Sequence, residues 1–151
     1  MKNNKKGFTL IEMLIVVAII GILSALILVG LSSFRTRGRD ARRIADVKQV
    51  QNGLEIYYTK NLKYPTVTSG SPASRWTELT TALTGAGIGL TQVPKDPLEP
   101  DSSYDYKDGN NQQNYVIAVT LEDGTNTNLK NDIDGSVFGI NCDDPAYCVQ
   151  F

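Results

Sequence analysis

The hydrophobic and polar positions divide this chain into an apolar segment, a helical stripe and a last third in which they alternate. Residues 13–31 carry no charge, and at 1.5 Å per residue a helix of about this length crosses the hydrocarbon core of a bilayer. We therefore predict a membrane helix over residues 8–31. A secretory signal peptide is the alternative, but its apolar region would be shorter and followed by a small-residue cleavage site, which is poorly matched here.

Beyond this segment, apolar residues recur every three or four positions, which predicts that the helix continues through residues 32–64 with one amphipathic face. The stripe consists of Ala41, Ile44, Val47, Gln51, Leu54, Tyr58 and Leu62. We expect the helix to end near residue 60, before Tyr64-Pro65, because proline disfavours a helical conformation in the residue before it. The stripe would then pack on a domain formed by residues 65–151.

The remaining sequence predicts a small head with a short helix and an antiparallel sheet. Ser74 is a candidate N-cap for a helix that brings Trp76, Leu79 and Leu83 to the core. Alternation and turn residues predict strands at 103–107, 115–122, 136–140 and 147–151, with a turn at Asp108-Gly109. A long helix packed on a small C-terminal antiparallel sheet belongs to the α+β class.

Composition excludes several functions. The chain has no histidine, which removes Ser-His-Asp and Cys-His catalysis and histidine-ligated metal sites, and no other catalytic constellation is evident, so we expect no enzyme. Residues 1–43 hold eight basic and two acidic side chains, whereas residues 44–151 hold seven basic and fourteen acidic ones. An acidic head does not favour nucleic-acid binding. The five arginines between positions 35 and 43 fit either lipid headgroups or a solvated helix face.

One carboxylate, Glu12, stands at the entrance of the apolar run. A carboxylate in such surroundings is costly and is usually paired. A plain membrane anchor does not explain it, so we interpret Glu12 as functional.

The run Lys6-Gly7-Phe8-Thr9-Leu10-Ile11-Glu12-Met13 resembles the N-terminal signal of type IV pilins and type II secretion pseudopilins. The resemblance implies that residues 1–7 are a leader, that a prepilin peptidase cleaves after Gly7 and methylates Phe8, and that Glu12 meets the N-terminal amine of a neighbouring subunit. It also implies a pilin-like fold and a homo-oligomeric filament, built with an assembly ATPase and a membrane platform protein.

Two features of the head point to different branches of this family. Val93-Pro94-Lys95-Asp96-Pro97 resembles the major, G-type pseudopilin of type II secretion. Cys142 and Cys148, close together in a chain with an export signal, suggest a disulfide, which near the C-terminus resembles type IV pilins. The sequence does not decide whether the filament is a surface pilus or a pseudopilus. The resemblance and the cysteines place the head outside the cytoplasm, on a single-pass protein of the inner (cytoplasmic) membrane.

Acidic residues gather near the C-terminus, at Asp132, Asp134 and Asp143-Asp144, with Asp123 and Asn126 close in sequence. Calcium takes several hard oxygen ligands, and the resemblance to major pseudopilins implies a calcium site near the C-terminus. The EF-hand pattern is not met, and we favour solvated turns and no cofactor over calcium. The alternative to a filament subunit is a membrane-anchored binding module, possibly one that holds calcium, that does not polymerise.

Overall fold

A computed structural model of the chain describes residues 7–98 and 104–151, and at residues 26–30 it describes the backbone alone. The described chain forms two helices, α1 (Leu10–Asn61) and α2 (Pro72–Gly85), and five strands. These are β1 (Tyr104–Gly109), β2 (Asn114–Thr120), β3 (Ser136–Val137), β4 (Ile140–Asn141) and β5 (Ala146–Gln150). The α+β, pilin-like class is confirmed, while predicted leader residues 1–6 and the strand start at Ser103 lie outside the described residues.

The chain divides between Thr36 and Arg37 into two compact units, and helix α1 runs through both. In the second unit α1 buries a face against the head, with Ile44, Val47, Val50 and Leu54 in the core. The prediction that the stripe packs on the head is wrong for two of its residues, Ala41 and Leu62, which are exposed. Leu62 already lies beyond the helix and has a positive φ of 57°.

Helix α2 begins one turn earlier than predicted. Ser71, and not Ser74, is the N-cap, since its side chain accepts a hydrogen bond from the backbone N–H of Ser74. Pro72 opens the helix, at a position where its missing N–H costs no helical hydrogen bond. The predicted core residues are confirmed as buried: Trp76, Leu79 and Leu83.

Strands β1, β2 and β5 form an antiparallel sheet in the order β1-β2-β5, and β3 pairs with β4 in a separate hairpin. The predicted turn at Asp108-Gly109 is wrong: both residues belong to β1 and pair with Tyr115 and Asn114. The chain reverses instead at 110–112, where all three residues have positive φ. Asparagine adopts this conformation more readily than most residues, and it occupies the first two positions.

Strand β2 is buried on both faces, which explains why its sequence is almost continuously apolar. One face carries Tyr115, Ile117 and Val119 into a core shared with α1, α2 and β1. The other face carries Val116 and Ala118 into a smaller core. That second core contains Ile140, Cys142 and Cys148, so the cysteines are anchored in the head rather than at its surface.

Candidate functional site

The N-terminal segment carries the first candidate site. Residues 7–9 are non-helical and exposed, and α1 begins directly after them. The backbone N–H and the hydroxyl of Thr9 both donate to Oε2 of Glu12, each at 2.8 Å. The backbone N–H of Glu12 donates in return to the hydroxyl of Thr9 at 3.3 Å. This reciprocal arrangement is a capping box, which satisfies backbone donors at the start of a helix.

The carboxylate of Glu12 therefore has a partner within its own chain, besides the neighbouring subunit that the resemblance implies. The spacing Thr9-x-x-Glu12 is the sequence signature of a capping box, so this contact was visible in the sequence and was missed. Large apolar side chains around it, from Phe8 to Leu23, are exposed. Within the described part of the chain, no helix has the length and hydropathy that a membrane crossing requires.

The second candidate site is a group of charged residues where α1 meets the head. Arg43 is 3% exposed at its side chain and has three carboxylate partners. Its Nε and Nη2 donate to the two oxygens of Asp96, at 2.8 and 3.1 Å. Its Nη1 donates to Asp40 at 2.8 Å and to Glu122 at 2.7 Å. A planar guanidinium suits this arrangement because its donors point in fixed directions.

The carboxylates of this group accept hydrogen bonds from the backbone and from a second arginine as well as from Arg43. Asp40 also accepts the backbone N–H groups of Glu122 and Asp123, at 3.0 and 2.9 Å. Glu122 accepts from Arg39 as well as from Arg43. The hydrogen bond from Arg39 is the largest of the effects that lower the pKa of Glu122 to about 2. This group therefore fastens α1 to the segment after β2.

The arginines of α1 divide into two kinds, which neither sequence interpretation anticipated. Arg43 is buried, so it is neither a lipid ligand nor a member of a solvated face, and Arg39, 28% exposed at its side chain, is paired with Glu122. Arg37 and Arg42 are 68% and 63% exposed at their side chains and lie 3.9 Å from carboxylate oxygens. Arg35 is also exposed. For these three, both predicted alternatives, lipid headgroups and a solvated helix face, stay open.

The third candidate site gathers part of the acidic C-terminal region. Carboxylate oxygens of Asp132, Asp134 and Asp144 lie within 4.8 Å of one another. Oδ2 of Asp132 accepts the backbone N–H of Cys148 at 2.8 Å. Its Oδ1 is buried and has no hydrogen-bond partner, a status shared with no other side-chain atom of the described residues. Burial is the main reason that the pKa of Asp132 lies above its ordinary value, and Asp134 and Asp144 add to it.

The other acidic candidates do not join this carboxylate cluster of Asp132, Asp134 and Asp144. Asp123 accepts hydrogen bonds from the backbone and hydroxyl of Thr125, and Asn126 accepts from the backbone of Asn128. Asp143 accepts from the backbone of Gly135 at 3.1 Å. The cluster thus adds Asp144 to the predicted pair, which the sequence did not separate from its neighbour.

The predicted disulfide is confirmed. Cys142 and Cys148 are bonded, with their Cα atoms 5.7 Å apart, and both are buried. The bridge closes a loop that contains Asp144. The disulfide and the carboxylate cluster are therefore parts of one structure at the end of the chain.

Comparison with known proteins identifies related sequences. The family model for the prokaryotic N-terminal methylation motif matches residues 2–28. The chain is 31% identical over 108 residues to the type II secretion system core protein G of Vibrio cholerae serotype O1, across 69% of this chain and 74% of that protein. It is 32% identical over 72 residues to the core protein G of Aeromonas hydrophila, across 48% of this chain. No solved structure matches it.

The match to the Aeromonas protein and a 31% match to the Escherichia coli K12 core protein G extend over 50% and 47% of those proteins, so the chain spans about half their length. The relatives are core proteins of a secretion system and not enzymes, as predicted for this chain. The match over 74% of the Vibrio protein, together with the methylation motif, decides the branch that the sequence left open. The chain belongs to the family of the type II secretion system core protein G, the major pseudopilin.

Proposed function

We propose that this chain is a structural subunit of a type II secretion pseudopilus, cleaved after Gly7, methylated at Phe8 and polymerised through α1. The observation that carries the proposal is the Thr9–Glu12 capping box at the start of a helix whose large apolar side chains are exposed. Such side chains bury their surface against lipid or against copies of the same helix, which provides a driving force for both states.

The segment around the proposed cleavage bond suits a peptidase. Gly7 and Phe8 are exposed and precede the first helical residue, so the peptide bond between them is not protected by helical hydrogen bonds. A prepilin peptidase is the partner that this step requires.

Membership of the family supports a membrane-associated location in the cell envelope. We propose further that residues 8–31 cross the inner membrane once before assembly, with the head outside the cytoplasm. Extraction of the helix into a filament then requires an assembly ATPase and a platform protein. In the filament, the cleaved N-terminal amine of one subunit would meet Glu12 of the next, where a desolvated ion pair is far stronger than in water.

Two substitutions separate a charge role of Glu12 from its capping role. Glu12→Gln keeps an oxygen that accepts from Thr9 but removes the negative charge, whereas Thr9→Val removes the hydroxyl partner and keeps the charge. We expect Glu12→Gln to remain processed and membrane-inserted and to form no filaments, and Thr9→Val to form them. Mass spectrometry of Phe8 reports processing, and electron microscopy of sheared and envelope fractions reports filaments.

Filaments of normal number from Glu12→Gln would contradict the proposed ion pair. Loss of filaments from Thr9→Val alone would assign Glu12 to helix capping. An unmodified chain that starts at Met1 and stays in the membrane would favour the anchored binding module instead.

We also propose that the carboxylate cluster holds a calcium ion. Oxygen ligands lie about 2.3–2.6 Å from Ca²⁺, so any two of them are at most about 5.2 Å apart, and the three carboxylates meet this condition because they each place an oxygen within 4.8 Å of the others. The buried, unpaired Oδ1 of Asp132 is a suitable ligand atom, since a cation would offset the cost of burying it. Asp132, Asp134 and Asp144 would hold the ion, which would neutralise their mutual repulsion and join the segment before β3 to the disulfide loop.

Calorimetric titration of the full chain with CaCl₂, in detergent, tests this proposal. We expect binding by the wild type and loss of binding by Asp134→Asn. Asp123→Asn is the matched control, because Asp123 lies outside the carboxylate cluster and should leave the affinity unchanged. Absence of binding by the wild type would leave the acidic residues as solvated turns.

A further inference from the structure

We propose that the Cys142–Cys148 disulfide is a positioning element for the cation site, so that the affinity of the head for Ca²⁺ depends on the redox state of the bridge. The inference rests on the calcium site proposed above and is independent of the proposed role of Glu12. The bridge is linked to two residues of the carboxylate cluster, Asp144 and Asp132.

The first contact is indirect, since the bridge closes the loop that carries Asp144. Asp132 and Asp134 precede β3, whereas Asp144 lies in the loop that the bridge closes, with a separation of six residues between the cysteines. Closure of so short a loop restricts the positions that Asp144 can take. Because Cys142 and Cys148 are buried in the second core, the ends of this loop are fixed relative to β2.

The second contact orients Asp132. The backbone N–H of Cys148 donates to Oδ2 of Asp132 at 2.8 Å. While Oδ2 accepts this hydrogen bond, Oδ1 is buried and has no hydrogen-bond partner, so it is available to a cation. Cys148 thus has two roles. It ends the loop that carries Asp144, and its backbone N–H orients the carboxylate of Asp132.

Other hydrogen bonds hold the loop when the bridge is open. Leu121 donates its backbone N–H to the carbonyl of Pro145 at 2.9 Å, and Gly135 donates to the side chain of Asp143 at 3.1 Å. The loop-closure entropy of a bridge with this spacing corresponds to a factor of about 40 in the folding equilibrium constant, which is the upper limit for the loss of calcium affinity on reduction. Because these hydrogen bonds recover part of that factor, we expect reduction to weaken calcium binding by about tenfold.

Calorimetric titration with CaCl₂ of the full chain in detergent tests the inference in both redox states. An external dithiol reduces the bridge: two electrons and two protons convert the disulfide to two thiols, and the dithiol is oxidised to its own disulfide. Asp144→Asn removes the ligand within the loop. Asp143→Asn is the matched control, since Asp143 lies beside it and contacts Gly135 instead of the carboxylate cluster.

We expect reduction to weaken binding about tenfold in the wild type and in Asp143→Asn, and to change the residual affinity of Asp144→Asn by less than threefold. Equal affinity of the oxidised and reduced wild type would overturn the inference while leaving the calcium site in place. An equal effect of reduction in Asp144→Asn would show that the bridge does not act through this ligand. No binding by the oxidised wild type would refute the calcium site itself.

A reciprocal measurement covers the case in which the reduced chain loses its fold. Thermodynamic linkage requires that saturating Ca²⁺ make the bridge about tenfold harder to reduce in a dithiol redox buffer. Alkylation of free thiols followed by mass spectrometry measures this shift. The shift should persist in Asp143→Asn and disappear in Asp144→Asn, and its persistence in both variants would contradict the inference.

Discussion

Replacing Arg43 by methionine leaves three carboxylates without their shared cation. The side chains of Asp40 and Asp96 are 0% exposed, and that of Glu122 is 28% exposed, so water cannot fully replace the lost partner. Removing one member of a buried ion pair costs about 3–5 kcal/mol, because a buried charge is left uncompensated. We expect Arg43→Met to lower the free energy of unfolding of the head by this amount.

Such a loss is large beside the total stability of a domain, which is about 5–15 kcal/mol. For a head of this size it corresponds to a decrease in the unfolding midpoint of about 10–20 °C. Trp76 is the single tryptophan of the chain and is a buried residue of α2, so its fluorescence reports the unfolding of the head. Urea and thermal unfolding of the full chain in detergent, followed at Trp76, measure the change.

Two further substitutions control for side-chain length and for charge. Arg42→Met removes a neighbouring arginine that is 63% exposed, and it should change stability by less than about 1 kcal/mol. Arg43→Lys keeps the charge but cannot reach three carboxylates with a single ammonium group, so it should fall between the wild type and Arg43→Met. If the free energy of unfolding of Arg43→Met is within about 1 kcal/mol of that of the wild type, the predicted cost of the uncompensated buried charges is refuted.

Two other predictions concern packing and pH. Gly109→Ala places a Cβ against the ring of Phe138 and should destabilise the head by about 1–3 kcal/mol in the same unfolding assay. Gly70→Ala, whose added Cβ would meet no atom within 4 Å, should not, and equal stability of the two variants would contradict the contact. The pKa of Glu122 is lowered from 4.5 to about 2, so its stabilisation is present above pH 4.5 and is lost as the pH falls toward 2. Glu122→Gln should therefore show a smaller loss of stability across this window than the wild type, and parallel pH curves would argue against it.

Local sequence patterns predicted the parts of the fold that depend on local rules. The apolar residues of α2, the strongly apolar strand β2 and the disulfide between Cys142 and Cys148 are all confirmed. Each follows from a property of a few neighbouring residues: helical spacing, β-branched and aromatic composition, or two cysteines close together in a chain with a predicted export signal. The Thr9–Glu12 contact obeys a local rule as well, since the spacing Thr-x-x-Glu before an apolar run is typical of a capping box.

The buried charges could not be predicted in this way, because their partners are remote in sequence. Asp96 and Glu122 lie 53 and 79 positions from Arg43, and no spacing rule connects them. A hydrophobic pattern assigns charged residues to the solvent and apolar residues to the core. It therefore predicted that Ala41 is packed, whereas Ala41 is exposed and the neighbouring Asp40 and Arg43 are buried. Burial of these charges is affordable only when all partners arrive together, which is a property of the folded head and not of the helix. Asp144 is a similar case, since only the folded loop separates it from its neighbour: Asp144 joins the carboxylate cluster, whereas Asp143 accepts from the backbone of Gly135.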